Sequence, residues 1–291
     1  MKALYDLPAP AKVNLFLHVV GRRSDGYHLL QSVFALTDWA DTLHIERRDD
    51  GQLRRHDLGP ALPQDDLCLR AARALQTESG TGLGADISIL KSVPWAAGLG
   101  GGSSDAATTL LALNRLWGLH WTRPQLAALG LRLGADVPFF IGGQHAFVEG
   151  IGEHLTPIEL PALWLAVVKP AAGLGTAEIF GSPALERRTP AVILLDFLAD
   201  TQLGDSAAPG FGRNDLQPVA IGCCPQVGEV AQWLQARFGN SRMSGSGSAV
   251  FARAGTGDRP VATFTAADLP PGWVGRMCRS LAAHPLRAWA D

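Results

Sequence analysis

Gly98-Leu99-Gly100-Gly101-Gly102 places four glycines in five positions, ahead of Ser103, Ser104 and an apolar run with helical spacing. Backbone amides with no side chains over them, aimed at a helix start, form a nest for an anion, and the helix dipole reinforces it. A plain turn would not carry so much glycine, because each one costs conformational entropy on folding. The stretch therefore points to a phosphate. It is not a Walker A loop, since no Gly-Lys-Ser/Thr occurs anywhere. The dinucleotide pattern G-x-G-x-x-G also fails after Gly98-Leu99-Gly100, and the VAIK, HRD and DFG signatures of protein kinases are absent.

Lysine is scarce, with Lys2, Lys12, Lys91 and Lys169 against 21 arginines, so each one poses a separate question. Lys12 lies in "AKVNLFLHVV", where period-two alternation puts it beside Asn14 on one strand face. Read alone, it is a surface lysine or a paired one. Asp136, in "GADVPFF", is a carboxylate among apolar neighbours, either a helix N-cap or an acid with chemical work. Asp105 follows the glycines at a helix start, where the dipole alone favours an acid. Tyr27 and His28 follow the turn signal Asp25-Gly26, and on their own read as a core tyrosine and a surface histidine. The histidines show no ligand spacing, so no structural metal is expected.

The elements that must position these groups follow from periodicity. In the first strand Val13, Leu15, Leu17 and Val19 are expected on one face and Lys12, Asn14, Phe16 and His18 on the other. Separate strands are expected near 30–37 and 41–47, then a helix over 65–80 with Asp65 or Asp66 at its start and Gly80 past its end. A strand over 85–93, the glycine stretch with its helix, a helix over 122–134 capped by Thr122, and a strand near 145–150 complete the first half. After about residue 160 the pattern restarts. It brings a buried strand at 163–170, helices near 176–180, 190–200 and 225–239, a loop at 208–216, and strand–turn–strand at 242–254. Mixed elements with hairpin spacings favour α+β with largely antiparallel sheets over a doubly wound parallel sheet.

Bulk properties exclude several classes. With 291 residues, 47% of them hydrophobic, the chain can bury a large core. No 18-residue apolar run occurs, so a membrane span is not expected, and the N-terminus does not read as a signal peptide. A formal net charge of −2 gives no field for nucleic acid. The paired arginines, Arg22/Arg23, Arg47/Arg48, Arg54/Arg55 and Arg187/Arg188, read as solvated faces and loops. Cys68, Cys223, Cys224 and Cys278 lack metal spacing and read as reduced, mostly buried thiols of a cytoplasmic protein.

Three stretches resemble the motifs of the GHMP small-molecule kinases: "PAPAKVNLFLHVVGRRSDGYHLLQSVF" (8–34), "PWAAGLGGGSSDAA" (94–107) and "RMSGSGSAVFA" (242–252). The first motif, with "GADVPFFIGGQHAFVEGIGE" (134–153) and "RNDLQPVA" (213–220), takes the form found in the branch whose alcohol is a cytidine diphosphate-linked methylerythritol. The resemblance spans residues 8 to about 287 in order. It implies a two-domain α+β GHMP fold, split at 1–158 and 159–291, with mixed or antiparallel sheets and the active site in the cleft between the domains.

It further implies ATP and Mg²⁺ as cofactors, a small-molecule substrate, neither nucleic acid nor membrane as partner, and a monomer or weak homodimer. Lys12 and Asp136 would be catalytic, Asp136 taking the proton of a substrate 2-hydroxyl as it attacks the γ-phosphate. Asn14 would bond the substrate or the acid, Tyr27 would stack on the cytosine and His28 would bond its edge. Pro94, Trp95, Ala96, Ala97, Gly98, Leu99, Gly100, Gly101, Gly102, Ser103 and Ser104 would hold ATP, one serine capping the helix or either meeting Mg²⁺. Ala96 and Ala97 stand where the family usually has glycine, and Trp95 where it has Met or Ile. Two other readings are a GHMP kinase for another alcohol, which "GRRSDGYH" disfavours, and a non-catalytic nucleotide- or RNA-binding module, which Lys12, Asp136 and the net charge disfavour.

Overall fold

The computed structural model describes residues 1–202 and 210–290. Strands β1 (Ala3–Arg22) and β2 (His28–Arg48) form one long antiparallel ribbon, turned over at Asp25-Gly26. The two strands expected at 30–37 and 41–47 are thus one. The acid at their junction is satisfied inside the sheet: Asp41 is fully buried and accepts from the Ser92 and Val93 amides at 2.6 and 2.8 Å. Strand β3 (Leu53–Asp57), where only an arginine pair was read, runs parallel to β4 (Gly84–Leu90). Arg55 there is no solvated side chain: it pairs with Asp57 and Asp66 with 8% of its side chain exposed.

Helix α1 (Leu67–Ser79) starts where Asp66 accepts from the Leu69 amide and stops at left-handed Gly80. Helices α2 (Gly101–Trp117), α3 (Arg123–Leu131) and α4 (Val137–Gly142) follow. Strands β5 (Ala146–Glu149) and β6 (His154–Pro157) close a six-stranded sheet of order β3-β4-β2-β5-β6, with β1 on β2. Leu36, Leu43, Ile45, Ile87 and Ile89 of this sheet pack on Leu110, Leu113, Leu126 and Phe140 of the helices.

The later chain gives β7 (Trp164–Lys169), α5 (Thr176–Gly181), α6 (Leu194–Gln202), α7 (Gln217–Cys223), α8 (Pro225–Phe238), β8 (Arg242–Met243), β9 (Val250–Arg253) and β10 (Val274–Arg279). The start of the 208–216 loop, Ala208 and Pro209, lies outside the described residues. The second sheet has the antiparallel order β10-β7-β9-β8. The two halves share packing: Leu286 and Ala290 return to the first core.

A register shift between Asn14 and Leu17 corrects the single apolar face expected of β1. Val13, Leu15 and Phe16 enter a core between the sheets with Leu165, Val167 and Phe251. Leu17 and Val19 turn the other way, onto Val227, Val230 and Leu234 of α8. A bulge adds one residue and flips every side chain after it. Leu17 thereby lands beside Lys12 and Asn14 on the wall of the large cavity.

Candidate active site

The glycine stretch is wedged between two parts of the chain. The Lys12 amide donates to the Leu99 carbonyl at 2.9 Å, while the Ser248 and Ala249 amides donate to Ala96 and Ala97 carbonyls. Gly98 has φ +71°, and a Cβ there would sit 2.1 Å from the Ser244 carbonyl oxygen, so the second glycine-rich stretch presses directly on the first. Gly100, also at φ +71°, would drive a Cβ to 2.9 Å from Phe140. No side chain larger than hydrogen fits either place. Ala96 also adopts a left-handed φ, +48°, a strained conformation for any residue with a Cβ.

Gly100 is the N-cap of α2, and no side chain caps it. That corrects the expectation that a serine caps this helix. Both serines lie inside the first turns, above which the leading amides have no intrahelical partner. Ser104 is fully enclosed with its hydroxyl unpartnered. Ser103 is partly open, its Oγ beside Gly134 at the start of the Asp136 segment.

Lys12 and Asp136 come together. Lys12 Nζ donates to Asn14 Oδ1 at 2.6 Å, lies 3.6 Å from Asp136 Oδ2 and sits 4.3 Å over the Phe34 ring. The lysine side chain is 4% exposed and the aspartate 30%. Burial pulls the Lys12 pKa below its ordinary value, and Asp136 offsets only part of that. Asp136 occupies the N-cap position of α4 but makes no capping bond, so its carboxylate stays available. Asn14 does not bond the acid, although it borders the cavity. Its oxygen takes the lysine and its amide donates to Ser32 Oγ at 2.9 Å, which makes it the strut that aims Lys12.

A cavity of about 880 Å³ opens on this pair, walled by both halves of the chain, including Tyr27, His28, Phe180 and Ser246. Tyr27 is 61% exposed at its far end, not a core residue, and His28 stands 5.2 Å from the Phe180 ring. A second cavity, about 430 Å³, is walled by Pro63, Lys91, Trp95 and the glycine stretch. Ala96, Gly98 and Gly100 border both cavities, so the loop is their common wall. Phe180 escaped the sequence reading because a single phenylalanine in a short helix carries no signal.

Asp105 needs no more than the helix dipole to explain it in sequence; the structure gives it a charged partner. Lys91 Nζ bonds Asp105 Oδ2 at 2.5 Å and also Asp41, tying α2 to β2 beneath the loop. Burial and Asp41 push Asp105 up to about 8 despite the lysine. Among the described residues, no group of three or more His, Cys, Asp or Glu is placed to hold a metal. No helix among them is long and apolar enough to cross a membrane. All four thiols are free, and only Cys223 is exposed.

Known proteins are similar to this chain in sequence and fold. The family description "GHMP kinases N terminal domain" fits residues 66–144 and "GHMP kinases C terminal" fits residues 199–264. A protein of Methylibium petroleiphilum is 67% identical over all of this chain and 99% of its own length. The chain belongs to the GHMP kinases. That relative, and another of Variovorax paradoxus, 56% identical over the full length of both, are named 4-diphosphocytidyl-2-C-methyl-D-erythritol kinase. A solved 4-(cytidine 5′-diphospho)-2C-methyl-D-erythritol kinase superposes with TM-score 0.74 at 37% identity, covering 86% of this chain and 90% of its own. Homoserine kinase of Cytophaga hutchinsonii, 15% identical, shares the fold with TM-score 0.67 over 98% of this chain and 96% of its own.

Proposed function

We propose that the chain transfers the γ-phosphoryl group of ATP to the 2-hydroxyl of 4-diphosphocytidyl-2-C-methyl-D-erythritol, in non-mevalonate isoprenoid precursor biosynthesis. The observation that carries this is the Lys12–Asp136 pair, open to a cavity with the glycine loop on one side and Tyr27, His28 and Phe180 at the far end. An alcohol phosphorylated near Asp136 reaches those rings only if it is extended, as a diphosphate-linked cytidine is. Stacking on an aromatic ring contributes about 1–3 kcal/mol per base.

Asp136 accepts the hydroxyl proton as the oxygen attacks phosphorus, and the bond to ADP breaks. The Lys12 ammonium has three N–H groups. One goes to Asn14 and one faces Asp136, which leaves a donor for the substrate oxygen as its charge grows. The nucleoside lies in the smaller cavity against Trp95 and Pro63, and the amides opening α2 face the phosphates.

Mg²⁺ fits this donor set. The half-open Ser103 hydroxyl and the Asp136 carboxylate are hard oxygen donors without a carboxylate cage, as suits an ion held mostly by phosphate and water. The ion would neutralise phosphate charge during transfer. The free thiols suit a cytoplasmic setting. The two sheets, whose strands lie within 3–157 and 164–279, support domains at 1–158 and 159–291.

The test is ADP release by the purified chain with ATP, Mg²⁺ and a panel of alcohols: the cytidyl substrate, homoserine, mevalonate and methylerythritol phosphate. Turnover should be confined to the cytidyl compound. Faster turnover of a small alcohol would replace it with another GHMP specificity.

A further inference from the structure

Arg187, read from sequence as part of a solvated pair, reaches across 159 residues to the far end of the large cavity. Its Nε donates to His28 Nε2 at 3.2 Å. The rest of the guanidinium is tied down: one terminal nitrogen donates to the Leu185 carbonyl at 3.0 Å, the other to Ser182 at 2.6 Å and Phe180 at 3.5 Å. It cannot swing away from the histidine without giving up the carbonyls that end α5 and follow it. A guanidinium has donors only, so the ring nitrogen facing it must hold a lone pair. A neutral imidazole with a bare Nε2 carries its proton on Nδ1. No residue described in the structure bonds that Nδ1, and His28 lines the cavity.

We infer that Arg187 fixes His28 as the Nδ1–H tautomer, so that the cytidyl end of the site selects a base edge presenting an acceptor and discriminates cytosine from uracil. This deepens the cytidyl reading and rests on it. Cytosine offers a lone pair at N3; uracil has an N–H there. A fixed donor bonds the first and meets a hydrogen on the second. A polar group left unpaired in an enclosed site discriminates more strongly than an added contact. Arg187 touches no substrate atom and acts as a positioning residue. Partial burial together with the Arg187 and Arg22 charges lowers the His28 pKa, which keeps the ring in its neutral form.

The test has two readouts. Long-range ¹H–¹⁵N correlation spectra of ¹⁵N-histidine-labelled full-length chain at pH 7 report the tautomer, with His28 assigned from His28→Gln. Competition by CMP and UMP against the cytidyl substrate reports base selection. The wild type should show a bare Nε2 and prefer CMP. Arg187→Met should shift His28 toward Nε2–H and shrink the CMP:UMP preference by roughly 2- to 13-fold, the worth of one hydrogen bond. Arg187→Lys keeps a charge that can reach the loop carbonyls; it should fold as the wild type and still lose the lock. An Nε2–H signal in the wild type, or a preference unchanged in both variants, overturns the inference. A locked tautomer in a wild type that neither nucleotide inhibits instead overturns the cytidyl reading, and the selection role with it.

Discussion

Lys12 and Lys91 both meet aspartates beside the same glycine loop, and they do so in opposite ways. Lys91 is clasped between Asp105 and Asp41, two carboxylates 5% and 0% exposed. Burial lowers its pKa, but the two carboxylates outweigh burial and the net shift is upward. Asp105 also moves up, first because it is buried and then because Asp41 lies beside it, which the shared lysine does not offset. Lys12 has one aspartate, at 3.6 Å and 30% exposed, and its pKa moves down. The Lys91 cluster shares one ammonium between two carboxylates and holds α2 to β2 under the loop. The open pair keeps bonding capacity pointed at a cavity. Of the two Lys–Asp groups, the one with the more exposed carboxylate is the one that opens on the larger cavity.

The largest contrast should come from deleting each lysine. Lys91→Met strands two buried carboxylates, and removing one partner of a buried pair costs about 3–5 kcal/mol. Urea unfolding should show a loss of that order. Lys12→Met, whose partner reaches water, should unfold close to the wild type while turnover collapses. Equal stability losses would erase the distinction between the two groups.

Lys12→Arg sharpens it. The planar fork of arginine cannot satisfy Asn14 and the substrate oxygen from one point. A misplacement of about 1 Å can cost about 10²-fold, so kcat should fall by that order with ATP affinity nearly unchanged. Near wild-type kcat would make Lys12 a structural lysine.

The smallest effect is on pH dependence. The folded pKa of Asp105, about 8, lies above its ordinary value of 3.8. Its contribution to stability is therefore full below that ordinary value and lost as pH rises through about 8. Between pH 6 and 9 the urea midpoint should drop further in wild type than in Asp105→Asn, with a slope difference no steeper than one proton, about 1.4 kcal/mol per pH unit. Parallel profiles would mean that Asp105 does not titrate in this window.

Local signals were legible where the cause is local. Asp66, Gly80 and Thr122 marked helix ends, and Gly98–Gly102 marked a tightly packed glycine turn ahead of α2, because caps and glycine dihedrals act within a few residues. Lys12 and Asp136 stood out through motifs, and the fold brings them to 3.6 Å. The β1 bulge stayed hidden, since period-two alternation continues through it in sequence while its faces exchange in space. The Lys91–Asp41–Asp105 cluster and the Arg187–His28 bond also stayed hidden. Each joins residues whose separation is set only by tertiary packing, and in isolation an arginine pair or an acid at a helix start has a sufficient surface explanation.

Two isosteric changes measured side by side test the central claim most directly: single-turnover phosphoryl transfer to the cytidyl substrate by Asp136→Asn and by Asp105→Asn, each with its ATP affinity. Asp136→Asn should lose about 10²–10⁴-fold in the transfer rate, the range for a missing general base, and keep ATP affinity within a few-fold. Asp105→Asn, which leaves Lys91 paired to Asp41, should transfer within about tenfold of the wild-type rate. An unchanged rate in Asp136→Asn, or a larger loss in Asp105→Asn, would contradict the account and move the chemistry away from the open pair.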